Sequence, residues 1–358
     1  MPNKIDPEIL KSLPELPIEE QREILSLLEQ HEEAGKKESA REGFMGFVNY
    51  VWPAFIEGRH HKIMARAFER VASGELRRLI INMPPRHTKS EFASFLLPSW
   101  FLGRYPEKKI IQTAHTAELS VGFGRKVRNL VGSDDYKNIF PSVALRADSK
   151  AAGRWSTNKG GEYFAIGVGG AVTGKGADLL IIDDPHSEQE GQSADSGVFD
   201  RVYDWYTSGP RQRLQPGGSI ILVMTRWHKR DLTGQILKSS AQRAGTDEWE
   251  VIEFPAIMPS GKALWPEFWS LEELTALRNE LPSPKWSAQY QQNPSAEESA
   301  LVKREWWQEW EHDSPPPCEF IIQSWDTAFL KTHALTTLLA PPGVFFTGQM
   351  MMGSPSRI

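Results

Sequence analysis

Short apolar runs alternate with longer amphipathic segments along the chain from Leu76 onward. Strands covered on both faces read as apolar runs, whereas helices that cover a sheet carry one apolar stripe. The alternation therefore predicts an α/β fold, with a mainly parallel sheet flanked by helices. The predicted strands are Arg78 to Asn82, Lys109 to Ala114, Tyr163 to Gly167, Asp178 to Asp183 and Ser219 to Thr225. The predicted helices are Ser90 to Gly103, Ala117 to Val131 and Phe199 to Leu214.

The pattern changes toward both ends of the chain. Residues 18–30 repeat Ile and Leu at helical spacing among Glu and Gln, which predicts a peripheral helix that is either a solvated arm or a docking element. A Pro-rich stretch at 314–317 predicts a linker, and residues 319–325 read as a new strand. We expect a helical arm at 1–44, a main domain at 45–300, a linker at 301–317 and a short terminal unit at 318–358.

Composition narrows the class of protein only slightly. The net charge is -5, so contact with nucleic acid requires a local basic face. The single cysteine, Cys318, excludes an intramolecular disulfide and a Cys-based zinc site, which is typical of a reducing cytoplasm. Because no apolar run approaches the roughly 20 residues that span a bilayer, we expect no membrane partner.

An apolar strand, a loop and a Lys-Ser pair that opens a helix follow one another between Leu79 and Ser90. A phosphate-binding loop needs N–H groups at a helix N-terminus, a Lys for the β and γ phosphates, and a hydroxyl for Mg²⁺. Lys89 and Ser90 suit the last two tasks, so we expect ATP and Mg²⁺ as ligands. The usual loop glycines are replaced by Met83 and Thr88, so the segment taken alone favours a basic turn between strand and helix.

A second motif follows about ninety residues later, as Asp178 to Asp184 places four apolar residues between acids. A buried strand brings its last carboxylate to the carboxyl edge of the sheet, where nucleotides bind in open α/β sheets. We expect Asp183 to hold Mg²⁺ and Asp184 to polarise the attacking water. A strand followed by a helix cap is the alternative, but the two motifs in this order favour a nucleotide site.

Further residues complete the expected site. Thr225, followed by Arg226, ends the last strand where it could sense the γ phosphate and couple hydrolysis to movement. His61 lies in the basic segment 59–62, which could meet the adenine or be a solvated turn, and His87 and Thr88 lie within the loop beside the phosphates.

The transition state at the γ phosphate needs a positive charge, and one inserted arginine is worth roughly a thousandfold or more in rate. Arg86 in the loop is one candidate. Lys175, in the Gly-rich stretch before the acidic strand, is another that could act across a subunit boundary.

Two predicted helical segments carry basic residues that could contact DNA phosphates or simply face solvent. These residues are Arg125, Lys126, Arg128, Arg201, Arg211 and Arg213.

Four separated stretches together resemble the large terminase subunits of tailed bacteriophages, over roughly residues 45 to 330. They are Met83 to Ser90, Leu180 to Pro185, Thr225 to Gly234 and Ala288 to Pro294. The resemblance implies a P-loop NTPase of the ASCE type that drives double-stranded DNA into a procapsid. It also implies a homo-oligomeric ring on the portal protein and a small terminase subunit as partner. Such a protein acts in the host cytoplasm, transiently on the procapsid portal, and is absent from the mature virion.

The same resemblance implies a C-terminal, ribonuclease H-like nuclease, whose acids hold two divalent metals. Asp326 matches the first acid of such a site, but no Asp or Glu follows it in the sequence. We therefore expect a truncated start of that domain, a vestigial metal site and no nuclease activity. The tail after Lys331 is poor in charged residues. A nucleotide sequence that encodes this tail can, in another reading frame, encode residues that resemble the family's continuation. This suggests a frameshift, which the gene sequence would test.

Two other functions stay open from the sequence. One is a helicase-like, DNA-stimulated ATPase. The other is a degenerate prophage product that binds DNA or portal without hydrolysing ATP.

Overall fold

An eight-stranded sheet organises the part of the chain that this computed structural model describes, namely residues 16–191, 197–243 and 245–294. The strands in chain order are β1 Arg78–Asn82, β2 Lys109–Ala114, β3 Leu145–Ala151, β4 Arg154–Thr157, β5 Glu162–Gly167, β6 Ala177–Asp183, β7 Leu214–Met224 and β8 Glu250–Glu253. Their spatial order is β3-β4-β5-β2-β6-β7-β1-β8. All neighbours from β5 to β8 pair in parallel, which confirms the predicted α/β fold.

The antiparallel edge made by β3 and β4 was not predicted. Strand β3 alternates charged and small residues and is largely exposed, so it lacks the apolar run of the central strands. Strand β7 begins at Leu214 rather than at the predicted Ser219. Its first residues pass through Pro216 and two glycines, and the pairing with β6 shifts register there, between Ala177 and Leu179.

Helices precede, connect and follow the strands. The helices are α1 Ile18–Glu42, α2 Phe44–Val51, α3 Arg59–Ser73, α4 Leu97–Arg104, α5 Ala117–Val131, α6 Asp134–Ile139, α7 Glu188–Gly191, α8 Gly197–Ser208, α9 Leu232–Gln242, α10 Leu271–Glu280 and α11 Ser283–Lys285. The predicted helix at 117–131 is confirmed. The helix predicted to end at Leu214 ends at Ser208, because Gly209 and Pro210 divert the chain into a short 3₁₀ turn.

The core is divided by the sheet into two apolar layers. In β1, Leu79 and Ile81 join the layer built by α2, α3 and α4, whereas Ile80 joins the opposite layer with α8 and α9. Successive strand residues point to opposite faces, so one apolar run serves both layers. This explains why the central strands read as continuous apolar segments rather than as alternating ones.

Helix α1 extends beyond the segment predicted as a peripheral helix. Its C-terminal half packs on the rest of the chain, with Ala40 buried and the Arg41 guanidinium donating to the Ile139 carbonyl. Its first half leaves Ile18 exposed. None of the helices in the described ranges is long and apolar enough to cross a membrane. The predicted linker and terminal strand lie outside those ranges.

Candidate nucleotide site

The carboxyl ends of the central parallel strands meet at one edge of the sheet. Register pairs Asn82 of β1 with Met224 of β7, and Asp183 of β6 with Val223 of β7. The loop that follows β1 and the acids that end β6 are therefore separated by a single strand. This brings the two sequence motifs, about ninety residues apart in the chain, to the same place.

The loop after β1 leads directly into a helix. Lys89 and Ser90 form its first helical residues, and it continues through a π-helical segment, Glu91–Leu96, into α4. Among the described residues, the N–H groups of Arg86, His87 and Thr88 have no hydrogen-bond acceptor. Free amide donors beside a helix N-terminus form an anion site.

Asp183 receives two hydroxyl hydrogen bonds from the helix that the loop opens. Ser90 Oγ donates to Asp183 Oδ1 at 2.9 Å, and Ser94 Oγ donates to Asp183 Oδ2 at 2.7 Å. Ser94 was missed by sequence reasoning, although its position one helical turn after Ser90 places both hydroxyls on one face. Gln112 of β2 in turn donates to Ser94 Oγ at 2.9 Å.

The second acid lies against the lysine of the loop. Lys89 Nζ is 2.8 Å from Asp184 Oδ2, and the N–H of Thr225 donates to Asp184 Oδ1 at 2.8 Å. Asp184 has φ of 38°, a left-handed backbone that non-glycine residues seldom adopt. Both oxygens of this carboxylate are therefore held in place by the loop and by the end of β7.

Burial and the neighbouring Asp184 carboxylate raise the pKa of Asp183. A cation bound at Asp183 would favour its ionised form. Ser90 and Asp183 offer the hard oxygen ligands that Mg²⁺ prefers, and Mg²⁺ usually keeps waters and phosphate oxygens as its other ligands. The donor set therefore fits Mg²⁺ with a nucleotide. In the described ranges, no group of three or more His, Cys, Asp or Glu residues could hold a metal by itself.

The end of β7 is anchored on both sides of the site. The hydroxyl of Thr225 donates to the Met83 carbonyl at 3.1 Å, so the residue touches the loop as well as Asp184. Arg226 is buried, with Nε 2.9 Å from an oxygen of the fully buried Asp231. Asp231 also caps α9 through the N–H of Gly234. Sequence reasoning missed Asp231, although an Asp just before a helix is a capping signal.

The loop candidates are placed differently from one another. Arg86 is exposed at the tip of the loop, whereas the His87 ring is buried and bonds the Pro85 carbonyl through Nδ1 at 2.7 Å. His61 lies beneath the loop with both ring nitrogens engaged inside the chain, by Gly58 and Thr88. The solvated turn considered for this histidine is wrong, because its side chain is buried.

Lys175 lies at the amino ends of the parallel strands, opposite the carboxyl ends where Lys89 lies. Its ammonium is 3.8 Å from Glu162, the first residue of β5, and it precedes β6 rather than following it. A seven-residue strand spans roughly 20 Å, so Lys175 does not join Lys89 within one chain. Asp326 lies outside the described residues.

The basic residues that could contact DNA differ in their exposure and in the side chains that they already contact. Lys126 pairs with Glu91 at 2.7 Å, and Arg211 pairs with Asp247 at 2.7 Å. Arg128 bonds the side chain of Asn129, and Arg201 also has a partner. Arg125 is exposed and forms no ion pair among the described residues, and Arg213 is half-buried.

A phosphate loop follows one strand, an acid pair stands at the end of another, and the strand between them is followed by the polar Thr225. This arrangement defines a P-loop NTPase of the ASCE type. The family model for the N-terminal part of terminase large subunits, T4likevirus-type, matches residues 80–311, more than half of the chain. The chain therefore belongs to that family. This confirms the resemblance that the four sequence stretches suggested. No curated protein sequence matches the chain.

Solved structures of phage terminases are also similar to this chain. The HK97 bacteriophage large terminase is 15% identical with a TM-score of 0.42, and the match covers 66% of this chain and 50% of that one. The ATPase domain of the Thermus phage P74-26 large terminase is 14% identical with a TM-score of 0.43, covering 70% and 97%. The large terminase of the thermophilic bacteriophage D6E, in complex with ATP-gamma-S, is 9% identical with a TM-score of 0.38, covering 62% and 50%. This chain thus matches half the length of the HK97 protein.

Proposed function

We propose that this chain hydrolyses ATP in a Mg²⁺-dependent reaction and uses that reaction to move double-stranded DNA into a procapsid. One observation carries the proposal: two loop residues and two strand-end acids meet in pairs, Ser90 with Asp183 at 2.9 Å and Lys89 with Asp184 at 2.8 Å. A basic turn or a simple helix cap would not require both pairs. Membership of the terminase family supports the same reading.

Each residue has a definite task in this reaction. The loop N–H groups and Lys89 would hold the phosphates of ATP, and Ser90 and Asp183 would hold Mg²⁺. When bound, Mg²⁺ would supply positive charge against the negative charge that develops on the phosphates. Asp184 accepts a hydrogen bond from the attacking water and orients it, while the Thr225 N–H fixes that carboxylate. For Asp184 to do so, its Oδ2 has to exchange Lys89 for the water, as the ammonium moves to phosphate.

The positive charge at the γ phosphate has two candidate sources. Arg86 is exposed at the loop tip of the same chain, so it can approach the phosphates directly. Lys175 would reach a site only in a neighbouring subunit, because it lies at the opposite sheet edge of its own chain. We propose the family's homo-oligomeric ring as the setting, with portal protein, small terminase subunit and DNA as partners. Arg125 is our first candidate for a DNA phosphate contact.

Phosphate release by purified protein tests the proposal, with and without DNA and with Mg²⁺ or EDTA. Hydrolysis that requires Mg²⁺ supports the motor. Absence of hydrolysis under all conditions would favour the degenerate, non-hydrolysing product instead. Unwinding of a short duplex would favour the helicase-like ATPase.

A further inference from the structure

Thr88 adopts a backbone conformation that its side chain disfavours. Its φ is 65°, in the left-handed region, at the loop position immediately before Lys89. Left-handed geometry is unfavourable for a residue with a Cβ, and a β-branched residue there is an outlier. Glycine is the residue that avoids this cost. A loop with threonine at this position therefore needs support from elsewhere.

His61 supplies a hydrogen bond to that threonine. The N–H of Gly58 donates to His61 Nδ1 at 2.8 Å, so a neutral ring carries its proton on Nε2. His61 Nε2 is 2.6 Å from Thr88 Oγ1, and the Thr88 hydroxyl is 2.6 Å from the His87 carbonyl. The chain of donors therefore runs in one direction, from Gly58 through His61 and Thr88 to the backbone of the loop.

The His61 ring is held rigidly enough to act as a support. It is fully buried and packs against the rings of Phe55, Phe92 and Trp265 at centroid distances of 4.7, 4.9 and 4.8 Å. Gly58 also has no room for a side chain, because a Cβ there would lie 2.7 Å from Trp265. Burial lowers the pKa of His61 to about 2, so the ring is neutral at physiological pH.

We propose that His61 is a positioning residue for the phosphate loop: its Nε2–H bond to the Thr88 hydroxyl holds the left-handed turn that glycine would otherwise provide. The turn sets the direction in which the chain enters Lys89 and Ser90, and so the place of the ammonium and of the hydroxyl that faces Asp183. His61 acts on ATP through the loop rather than by touching the base. The inference rests on the proposed ATP site.

A double-mutant cycle between the two positions tests the inference. His61→Phe keeps a flat ring but removes the donor, and should weaken binding of Mg-ATPγS, measured by calorimetry, about tenfold. The same substitution added to Thr88→Gly should weaken binding by less than about threefold, because glycine needs no support in this conformation. Urea unfolding of the four proteins gives a second readout that needs no nucleotide, and should show the same coupling.

Two amide variants separate the two hydrogen bonds of the ring. His61→Gln can still donate to Thr88 but cannot easily accept from Gly58, whereas His61→Asn can accept from Gly58 but cannot reach Thr88. Only His61→Gln should retain most of the affinity for Mg-ATPγS. His60→Phe is the matched control, since it removes an imidazole 3.7 Å from the His61 ring without touching Thr88.

Equal losses for His61→Phe with threonine and with glycine at position 88 would overturn the inference, even if wild type binds nucleotide normally. Equal affinities of the Gln and Asn variants would also overturn it. If wild type binds no nucleotide, the proposed function fails. The double-mutant cycle measured by urea unfolding then still decides whether His61 supports the loop. Absence of coupling between the two positions in that cycle would overturn the inference as well.

Discussion

Acidification below about pH 6.5 is expected to destabilise this protein through buried histidines. Burial lowers the pKa of His60 to about 3, of His61 to about 2, and of His87 and His186 to about 4. Each ring stays neutral in the native state but takes up a proton on unfolding once the pH falls below the ordinary value near 6.5. Since the native pKa values are depressed, stability is lost as the pH falls from about 6.5 toward 4.

The size of the effect follows from the number of protons taken up on unfolding. Each histidine contributes roughly 1.4 kcal/mol per pH unit in this window. Asp183 acts in the opposite sense, because its raised pKa keeps a proton in the native state that the unfolded chain releases. The charge of Lys89 disfavours protonation of His87, whereas Asp231, Glu190 and Asp184 favour that of His186. The net uptake of about three protons corresponds to an upper limit of roughly 4 kcal/mol per pH unit.

Urea unfolding at about pH 8, 6 and 5, followed by tryptophan fluorescence without nucleotide, measures this slope. In His60→Phe the free energy of unfolding should fall less steeply with pH than in wild type. The two slopes should differ by roughly 1.4 kcal/mol per pH unit. Neither ring nitrogen of His60 has a hydrogen-bond partner in the described part of the chain, so the variant should fold. Phe254→Leu, whose ring packs 6.0 Å from that of His60, controls for packing and should keep the wild-type slope. Identical slopes for wild type and His60→Phe would refute the reasoning.

Three further changes have expected outcomes. Arg226→Ala leaves the Asp231 carboxylate buried without its guanidinium and should lower the free energy of unfolding by about 3–5 kcal/mol, whereas an unchanged melting temperature would contradict the buried ion pair. Ser94→Ala removes one of the two hydroxyl donors to Asp183 and should shift the Mg²⁺ concentration for half-maximal hydrolysis severalfold, an effect that a purely packing role would not produce. Arg125→Ala should weaken DNA binding about equally across sequences and reduce the salt dependence by about one counterion, and sequence-selective loss would argue against a phosphate contact.

The sequence predicted the central fold because its strands are apolar on both faces. Strands β1 and β2 and helix α5 have the predicted bounds. The edge strand β3 was not predicted because edge positions tolerate polar residues, and β4 because Arg154–Thr157 has only four residues. Strand β8 was not predicted because Glu250–Glu253 is short and begins and ends in acids. Gly209 and Pro210 end helix α8 and were visible in the sequence. The prediction followed the apolar pattern instead and extended the helix to Leu214.

The site divides in a similar way between local and distant contacts. Lys89, Ser90 and the two acids could be predicted, since strand order alone brings the carboxyl ends together. The bond of His61 to Thr88 joins residues 27 positions apart, on a helix and a loop. No periodicity reports such a contact. The unusual threonine before Lys89 was the only sequence signal that the loop needs a support.

The rate of ATP hydrolysis by wild type, Lys89→Ala and Asp183→Ala in Mg²⁺ tests the central claim most directly. Lys36→Ala and Asp134→Ala are matched controls, because both residues form exposed ion pairs, with Glu32 and Lys137. Wild type and both controls should release phosphate at similar rates, whereas each site variant should lose roughly a hundredfold or more. Equal phosphate release by wild type, Lys89→Ala and Asp183→Ala would contradict the assignment of this site.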